Sequence, residues 1–157
     1  MAVAVQPGAA AVKIRVDFDK AFNFASVKTY SIQIGTRWGN DLSERRVTLS
    51  RSGKRVLTTR AAVGSTSTPT PTGTFYVDQR LYSNDPGGPF GPSAVGIAAY
   101  SEVLTGWTQG GPIAIHGTNR PDLIGQAVSN GCVRVRNEVV TRIFDATLSG
   151  TPVVIQE

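Results

Sequence analysis

The chain has 157 residues, of which 40% are hydrophobic and 17% charged, with 17 glycines and 9 prolines, and this indicates one folded domain rich in turns. The net charge of +5 favours anionic surroundings, but the basic residues form no run and no nucleic-acid-binding signature, so no nucleic-acid partner is expected. No apolar stretch approaches the roughly 20 residues of a membrane-spanning helix, so no membrane span is expected.

Two segments near the N-terminus alternate apolar and polar residues. They are residues 13–19, KIRVDFD, and residues 30–35, YSIQIG. Period-two alternation predicts half-buried β-strands. The first sixteen residues make a poor signal peptide, because no positive segment precedes them and Gln6-Pro7-Gly8 interrupts the apolar run.

The middle and the end of the chain add more strand patterns. The segment RRVTLSRSGKRVLTTRAAVG, residues 45–64, predicts a hairpin that turns at Ser52-Gly53. TGTFYVDQ (72–79), PIAIH (112–116) and PVVIQ (152–156) predict further strands. The sequence therefore predicts a mainly β protein.

Two segments rich in glycine, proline and small polar residues lie between these strands. Residues 64–74 have the composition of a linker, but strand patterns on both sides make a rigid loop inside one domain at least as reasonable. Residues 82–111 show little regular pattern apart from residues 94–100. Long irregular segments of this kind often border binding sites.

One segment near the end has helical spacing. In residues 137–152 the apolar residues recur every three or four positions, which predicts a helix over 138–148. Asn137 is the expected N-cap, Glu138 suits the helix start, and Gly150 and Pro152 supply the stop. The helix begins a few residues after Cys132.

His116 and Cys132 are the only histidine and cysteine in the chain. A thiol attacks as thiolate, so a cysteine nucleophile needs a base or a positive charge nearby, and His116 is the one imidazole available. Gly131 precedes the cysteine, and the N–H groups of Gly131 and Cys132 could stabilise an oxyanion. Arg134 would share a face with Cys132 in an extended chain, where it could bind a substrate carboxylate.

Other interpretations of these residues stay open on the residues alone. A single cysteine is often a small buried apolar residue, and a single histidine after a strand is often structural. One histidine and one cysteine cannot supply the three or four ligands of a zinc site, so no metal is expected. A serine hydrolase is disfavoured because the chain has no G-x-S-x-G motif.

Three strings in the chain resemble the L,D-transpeptidase catalytic domain of the YkuD family: IHGTNRPDLIGQAVSNGCVRVRN, STPTPTGTFYV and NDPGGPFGP. The family pattern is His-Gly-Thr, about fifteen residues, and then Ser-x-Gly-Cys-x-Arg; here fifteen residues separate His116 from Cys132. The likeness runs from about Val47 to the end. Many members carry a second histidine two residues before the cysteine, where this chain has Asn130, so the proton transfer would fall on His116.

The resemblance implies a β-sandwich or β-rich domain over residues 46–157, with a short helix after the catalytic cysteine, and an N-terminal extension over 1–45 that adds strands to it. Residues 70–75 would pack beneath the site, and residues 82–111 would wall the substrate cleft. Cys132 would be the nucleophile, His116 the general base, Gly117 the carbonyl that orients the imidazole, and Gly131 a further oxyanion donor. The implied substrate-binding positions are Ser129, Arg134, Thr118, Asn119 and Asn137.

The resemblance also implies an activity: an enzyme without cofactor or metal that forms a thioester with a peptidoglycan tetrapeptide stem, releases the terminal D-Ala and passes the stem to an amine, giving 3-3 cross-links. A peptidase that uses water on the same stems, and a catalytically silent wall-binding module, remain alternatives. The family is exported, so action in the periplasm or cell wall is expected, with the signal or anchor absent from this chain. The sequence does not indicate the oligomeric state.

Overall fold

The structure is a computed structural model that describes residues 30–35, 45–104 and 111–157. The strand predicted over 13–19 lies outside these residues, and so does most of the predicted N-terminal extension. The strands of the described part are β1 (Tyr30–Gly35), β2 (Arg46–Arg51), β3 (Lys54–Arg60), β4 (Val63–Gly64), β5 (Gly73–Tyr82), β6 (Ser93–Tyr100), β7 (Pro112–His116), β8 (Ala127–Ser129), β9 (Val133–Arg134) and β10 (Pro152–Gln156).

The described strands form one curled sheet and one small ribbon. The sheet has eight strands in the order β3-β2-β1-β10-β5-β6-β7-β9, and the ribbon pairs β4 with β8. The pairs β1–β10, β7–β9 and β4–β8 are parallel, and the others are antiparallel. The described residues also form one short α-helix, α1 (Asn137–Ala146), and a 3₁₀ turn, Pro121–Leu123. This confirms the predicted mainly β fold with a helix after Cys132.

The strand predictions for the N-terminal half agree with the structure. In β1, Ile32 and Ile34 are fully buried while Gln33 between them is exposed, as the alternating pattern requires. The β2–β3 hairpin turns at Ser52-Gly53, and both residues have positive φ angles, 49° and 74°. Two positive φ angles are the mark of a two-residue turn that matches the twist of the strands.

Strand β1 belongs to the predicted N-terminal extension, residues 1–45, but it is not at the margin of the sheet. It lies between β2 and β10, with Ile32 opposite Leu49 on one side and Val153 on the other. Both neighbours come from the predicted catalytic domain. Residues 30–35 therefore share the sheet and the core of that domain.

Helix α1 packs on one face of the sheet. Val140, Ile143 and Phe144 are its buried residues, and their spacing of three and four positions puts them on one side of the helix, facing β6 and β7. The guanidinium of Arg80, on β5, lies 4.2 Å from the centre of the Phe144 ring, which closes this side of the core.

The ends of the helix differ from the prediction. Arg136 is the N-cap, without a side-chain capping bond, and the helix begins at Asn137 itself. The side-chain oxygen of Asn137 instead accepts a hydrogen bond from the N–H of Thr118, 2.8 Å away. The helix ends at Ala146 instead of residue 148, and Leu148 is 66% exposed. The Asn137 side chain, predicted from local sequence to cap the helix, thus forms a tertiary hydrogen bond with Thr118 instead.

The segment over residues 64–74 is a loop inside the domain, not a linker. It leaves the ribbon at Gly64, turns through Ser65 and Thr68, and enters β5 at Gly73. The N–H of Ser65 donates to the carbonyl of Ser129, 2.9 Å away, so the loop is held against the segment before Cys132. The segment over 82–111 is only partly a loop, because its centre is strand β6.

Candidate active site

The register of four strands sets one row of side chains on the face of the sheet opposite α1. Leu81 pairs with Ala94, Ala94 with His116, and His116 with Arg134. The next row, Val95, Ile115 and Val133, is fully buried in the core. Because side chains alternate along a strand, the first row projects away from the core. His116 and Arg134 are therefore neighbours on the same face of the sheet.

Cys132 follows a tight turn between β8 and β9. Gly131 in this turn has a φ of 109°, and a Cβ there would lie 2.9 Å from Cδ1 of Ile113, so any other residue would be strained at this position. The hydroxyl of Ser129 accepts a hydrogen bond from the N–H of Gly131 at 3.2 Å and donates one to the carbonyl of Cys132 at 2.5 Å. One buried side chain thus closes the turn that carries the thiol.

The Cys132 thiol lies beside the start of β7. Its Sγ is 3.8 Å from the carbonyl oxygen of Pro112, and the backbone of Ala114 also forms a hydrogen bond with it. Burial raises the pKa of the Cys132 thiol, and the hydrogen bond from Ala114 and the charge of Arg134 oppose that rise. The sulfur is therefore a neutral thiol at neutral pH.

His116 is 3% exposed, and its Nδ1 lies 2.6 Å from the carbonyl oxygen of Gly117. Since a carbonyl only accepts, Nδ1 carries the proton and Nε2 keeps its lone pair. Burial lowers the pKa of His116 from 6.5 to about 4; the Gly117 hydrogen bond opposes this, and Arg134 adds to it. Phe90 covers the ring edge-on, with ring centres 5.1 Å apart. The imidazole is a neutral base.

Two adjoining clefts meet at the thiol and the imidazole. One has a volume of about 310 Å³ and the other about 150 Å³, and both are lined by Phe90, Pro112, His116 and Cys132. The larger cleft is mostly apolar, and its other walls include Leu81, Tyr82, Ala94 and Ala114. The smaller one adds the polar side chains of Asn130 and Arg134. Cys132 and His116 therefore line both the larger, apolar cleft and the smaller, more polar one.

The family model of the L,D-transpeptidase catalytic domain, YkuD, matches residues 40–155. The chain belongs to this family. It is 40% identical over 114 residues to a protein of Bacillus subtilis strain 168 named as an L,D-transpeptidase, YkuD, a match that covers 73% of this chain and 62% of that protein. The chain thus spans about three fifths of the length of the relative it matches.

Solved structures resemble this YkuD domain in fold. L,D-transpeptidase 3 of Mycobacterium tuberculosis, in complex with a faropenem-derived adduct, matches with a TM-score of 0.61 at 20% identity, over 83% of this chain and 61% of that one. The catalytic domain of the E. faecium L,D-transpeptidase matches with a TM-score of 0.53 at 21% identity, over 83% of this chain and 98% of that one. At these identities the likeness concerns the fold.

Among the predicted substrate-binding residues of the YkuD domain, Arg134 lines the smaller cleft. Its Nε is buried and finds no hydrogen-bond partner among the described residues. The other four lie elsewhere: Ser129 closes the cysteine turn, Asn137 accepts from Thr118, and Asn119 is exposed to solvent. The buried hydroxyl of Thr118 accepts from the N–H of Arg120 at 2.9 Å. None of these four lines either cleft.

The two predicted oxyanion donors, the N–H groups of Gly131 and Cys132, differ in whether they are already hydrogen-bonded. The N–H of Gly131 already donates to Ser129, so it is not free for a substrate. The N–H of Cys132 has no acceptor within the ranges 30–35, 45–104 and 111–157. Of the two donors predicted from the sequence, the Cys132 N–H is the one that fits.

The sequence analysis assigned no individual role to three residues near the site: Phe90, Thr68 and Thr70. Phe90 lies in the string NDPGGPFGP, whose resemblance to the family was a signal for it. Thr68 and Thr70 donate to carbonyls of the cysteine turn from a segment about sixty residues earlier. Both lie in the string STPTPTGTFYV, and residues 70–75 were expected to pack beneath the site, but local sequence gives no sign of which carbonyls the two hydroxyls meet.

Neither a metal cluster nor a membrane-spanning helix is found in the described part of the chain. No group of three or more His, Cys, Asp or Glu side chains there could hold a metal ion. No helix there is long and apolar enough to cross a membrane.

Proposed function

We propose that this domain is a cysteine-dependent L,D-transpeptidase that acts on peptidoglycan stem peptides. The observation that carries the proposal is that Cys132 and His116 line the same two clefts, with the imidazole neutral and its Nδ1 proton donated to Gly117. Such a pair supplies a nucleophile and a base without a cofactor. Membership of the YkuD family supports the same reaction.

In the proposed first step, the Cys132 sulfur attacks the carbonyl carbon before the terminal D-Ala of a tetrapeptide stem. The thiol proton passes to Nε2 of His116 as the C–S bond forms, and the carbonyl π electrons move onto oxygen. The Cys132 N–H stabilises that oxyanion. The C–N bond then breaks, His116 returns the proton to the departing amine, and D-Ala leaves behind a thioester.

In the second step, an amine from another stem enters through the cleft not occupied by the acyl group. His116 accepts its proton as the nitrogen attacks the thioester, and the Cys132 thiol is released with that proton. The product is a 3-3 cross-link between stems. The guanidinium of Arg134 in the smaller cleft suits a substrate carboxylate there, since its Nε has no other partner among the described residues.

This function assigns the protein to cell-wall biogenesis and the maintenance of cell shape. Because peptidoglycan stems lie outside the cytoplasmic membrane, we propose that the domain acts in the periplasm or cell wall. The net charge of +5 suits a wall that carries anionic polymers.

The test begins with intact-mass measurement after incubation with faropenem or a carbapenem. The wild-type protein should gain the mass of one drug molecule, and the Cys132→Ala variant should gain none. Thermal unfolding of both proteins should show that the variant is folded. No adduct on a folded, reduced wild-type protein would overturn the nucleophile assignment and leave a wall-binding module.

A tetrapeptide stem offered with and without an amine acceptor separates transfer from hydrolysis. Loss of one alanine together with a cross-linked dimer supports the transpeptidase. A tripeptide formed by water even when acceptor is in excess would instead identify a peptidase. His116→Asn should lower the acylation rate by about 10²–10⁴-fold, because it removes the base.

A further inference from the structure

Two threonines from the loop after Gly64 reach the cysteine turn. Thr68 Oγ1 donates to the carbonyl of Ser129 at 2.9 Å, and Thr70 Oγ1 donates to the carbonyl of Gly131 at 2.8 Å. Both partners are 61 residues away along the chain. The Ser129 carbonyl has a second donor besides Thr68, because it also accepts from the N–H of Ser65 at 2.9 Å. Thr70 is the only donor to Gly131 among the described residues.

The Thr70 hydroxyl is held at both ends. It is 4% exposed, and it accepts a hydrogen bond from the N–H of Gly64 at 2.9 Å while it donates to Gly131. A Cβ on Gly64 would collide with the backbone of Thr68 and Thr70, so the loop sits directly on that glycine. The hydroxyl therefore has one position and one direction.

This bond fixes the peptide unit that joins Gly131 to Cys132. A trans peptide is planar, and its C=O and N–H point in opposite directions. Once the Gly131 carbonyl is held on Thr70, the Cys132 N–H must point away from Thr70. The other polar groups of this turn, the Gly131 N–H and the Cys132 carbonyl, are both bonded to Ser129. The free Cys132 N–H and the Gly131 carbonyl that Thr70 holds thus belong to the same planar peptide unit.

We propose that Thr70 is a positioning residue, which holds the Gly131–Cys132 peptide so that the Cys132 N–H meets the oxyanion formed during acylation. The inference rests on the proposed acylation of Cys132. Thr70 does not touch the substrate. Its contribution is to remove the freedom of the peptide to rotate, so that the donor needs no rearrangement when charge develops.

The test compares two reactions of the same thiol. Acylation by faropenem passes through a tetrahedral oxyanion. Alkylation by iodoacetamide does not: the sulfur displaces iodide, which leaves with the C–I electron pair, and the thiol proton goes to the buffer. Thr70→Val removes the hydroxyl at nearly constant shape, Thr70→Ser restores it, and Thr147→Val removes another buried threonine hydroxyl bonded to a carbonyl, remote from the turn.

Thr70→Val should slow acylation by about 10–100-fold, part of the loss that follows removal of a whole oxyanion donor. Its alkylation rate should stay within about threefold of wild type, and Thr70→Ser should recover most of the acylation. Thr147→Val should change neither rate. If Thr70→Val does not fold, Thr70→Cys keeps a weak donor at the same place and should slow acylation to an intermediate degree.

Equal slowing of both reactions would overturn the inference, since a general disturbance of Cys132 predicts that result. Unchanged acylation in Thr70→Val would overturn it as well. If the wild-type protein is alkylated but not acylated, the proposed function itself fails, and this outcome is separate from the other two.

Discussion

Replacing His116 with asparagine should remove a large part of the acid sensitivity of this domain. The imidazole has a pKa of about 4 in the folded protein, because burial disfavours its charged form, against 6.5 for an ordinary histidine. The unfolded chain therefore binds a proton between these pH values and the folded protein does not. Linkage then requires the free energy of unfolding to fall as the pH drops from about 6.5 to about 4.

The size of this effect follows from the two pKa values. One pH unit of difference corresponds to about 1.4 kcal/mol, so His116 should cost the folded protein about 3 kcal/mol at pH 4 relative to pH 7. His116 is 3% exposed, so solvent screening does not reduce this figure much. Asparagine is uncharged at both pH values, and its amide can still donate to the carbonyl of Gly117.

The assay is urea unfolding of wild type and His116→Asn at pH 7 and pH 4. Carboxylates titrate in both proteins, so their contribution cancels when the pH-dependent change in the free energy of unfolding of one protein is subtracted from that of the other. The wild-type protein should lose about 3 kcal/mol more than the variant between the two pH values. A difference that stays constant within about 1 kcal/mol would show that water reaches the imidazole and that its pKa is ordinary.

Three further outcomes are expected. Acylation should be insensitive to imidazole protonation between pH 5 and 7, because the pKa of His116 is about 4; a fall in rate centred near pH 6.5 would contradict this. Arg134→Ala should raise the pKa of the Cys132 thiol further, moving the pH profile of iodoacetamide alkylation upward, whereas an unmoved profile would exclude the electrostatic effect. Gly131→Ala, at a φ of 109° and with a core side chain 2.9 Å from the new Cβ, should lower the free energy of unfolding in urea by about 1–3 kcal/mol. Gly53→Ala, at 74° with open space around it, is the control and should lose less.

Features of the fold that depend on nearby residues could be predicted from the sequence. The alternation of Ile32 and Ile34 and the Ser52-Gly53 turn are local patterns, and the structure confirms both. The apolar spacing over residues 138–148 likewise predicted a helix; Val140, Ile143 and Phe144 of that pattern are buried, whereas Leu148 is exposed. In each case the residues that determine the element lie within it.

Features that depend on distant partners could not be predicted. Asn137 looked like a helix cap, but Thr118, nineteen residues earlier, takes its side-chain oxygen. The carbonyl of Gly131 likewise bonds to Thr70, 61 residues earlier, and local sequence does not indicate that partner. The direction of a side chain at a turn depends on backbone angles such as the φ of Gly131, which the residue names do not specify.

The position of β10 in the sheet bears on how the protein is made. Residues 152–156 fill the gap between β1 and β5, so the three strands β3, β2 and β1 have no direct pairing with β5, β6, β7 and β9 until β10 arrives. During synthesis these two groups of strands stay unpaired with each other while more than seventy residues after β5 leave the ribosome. A sheet completed from its middle folds late, because its pairings span long stretches of chain. A nascent chain of this topology should therefore stay accessible to chaperones until residue 156 has emerged.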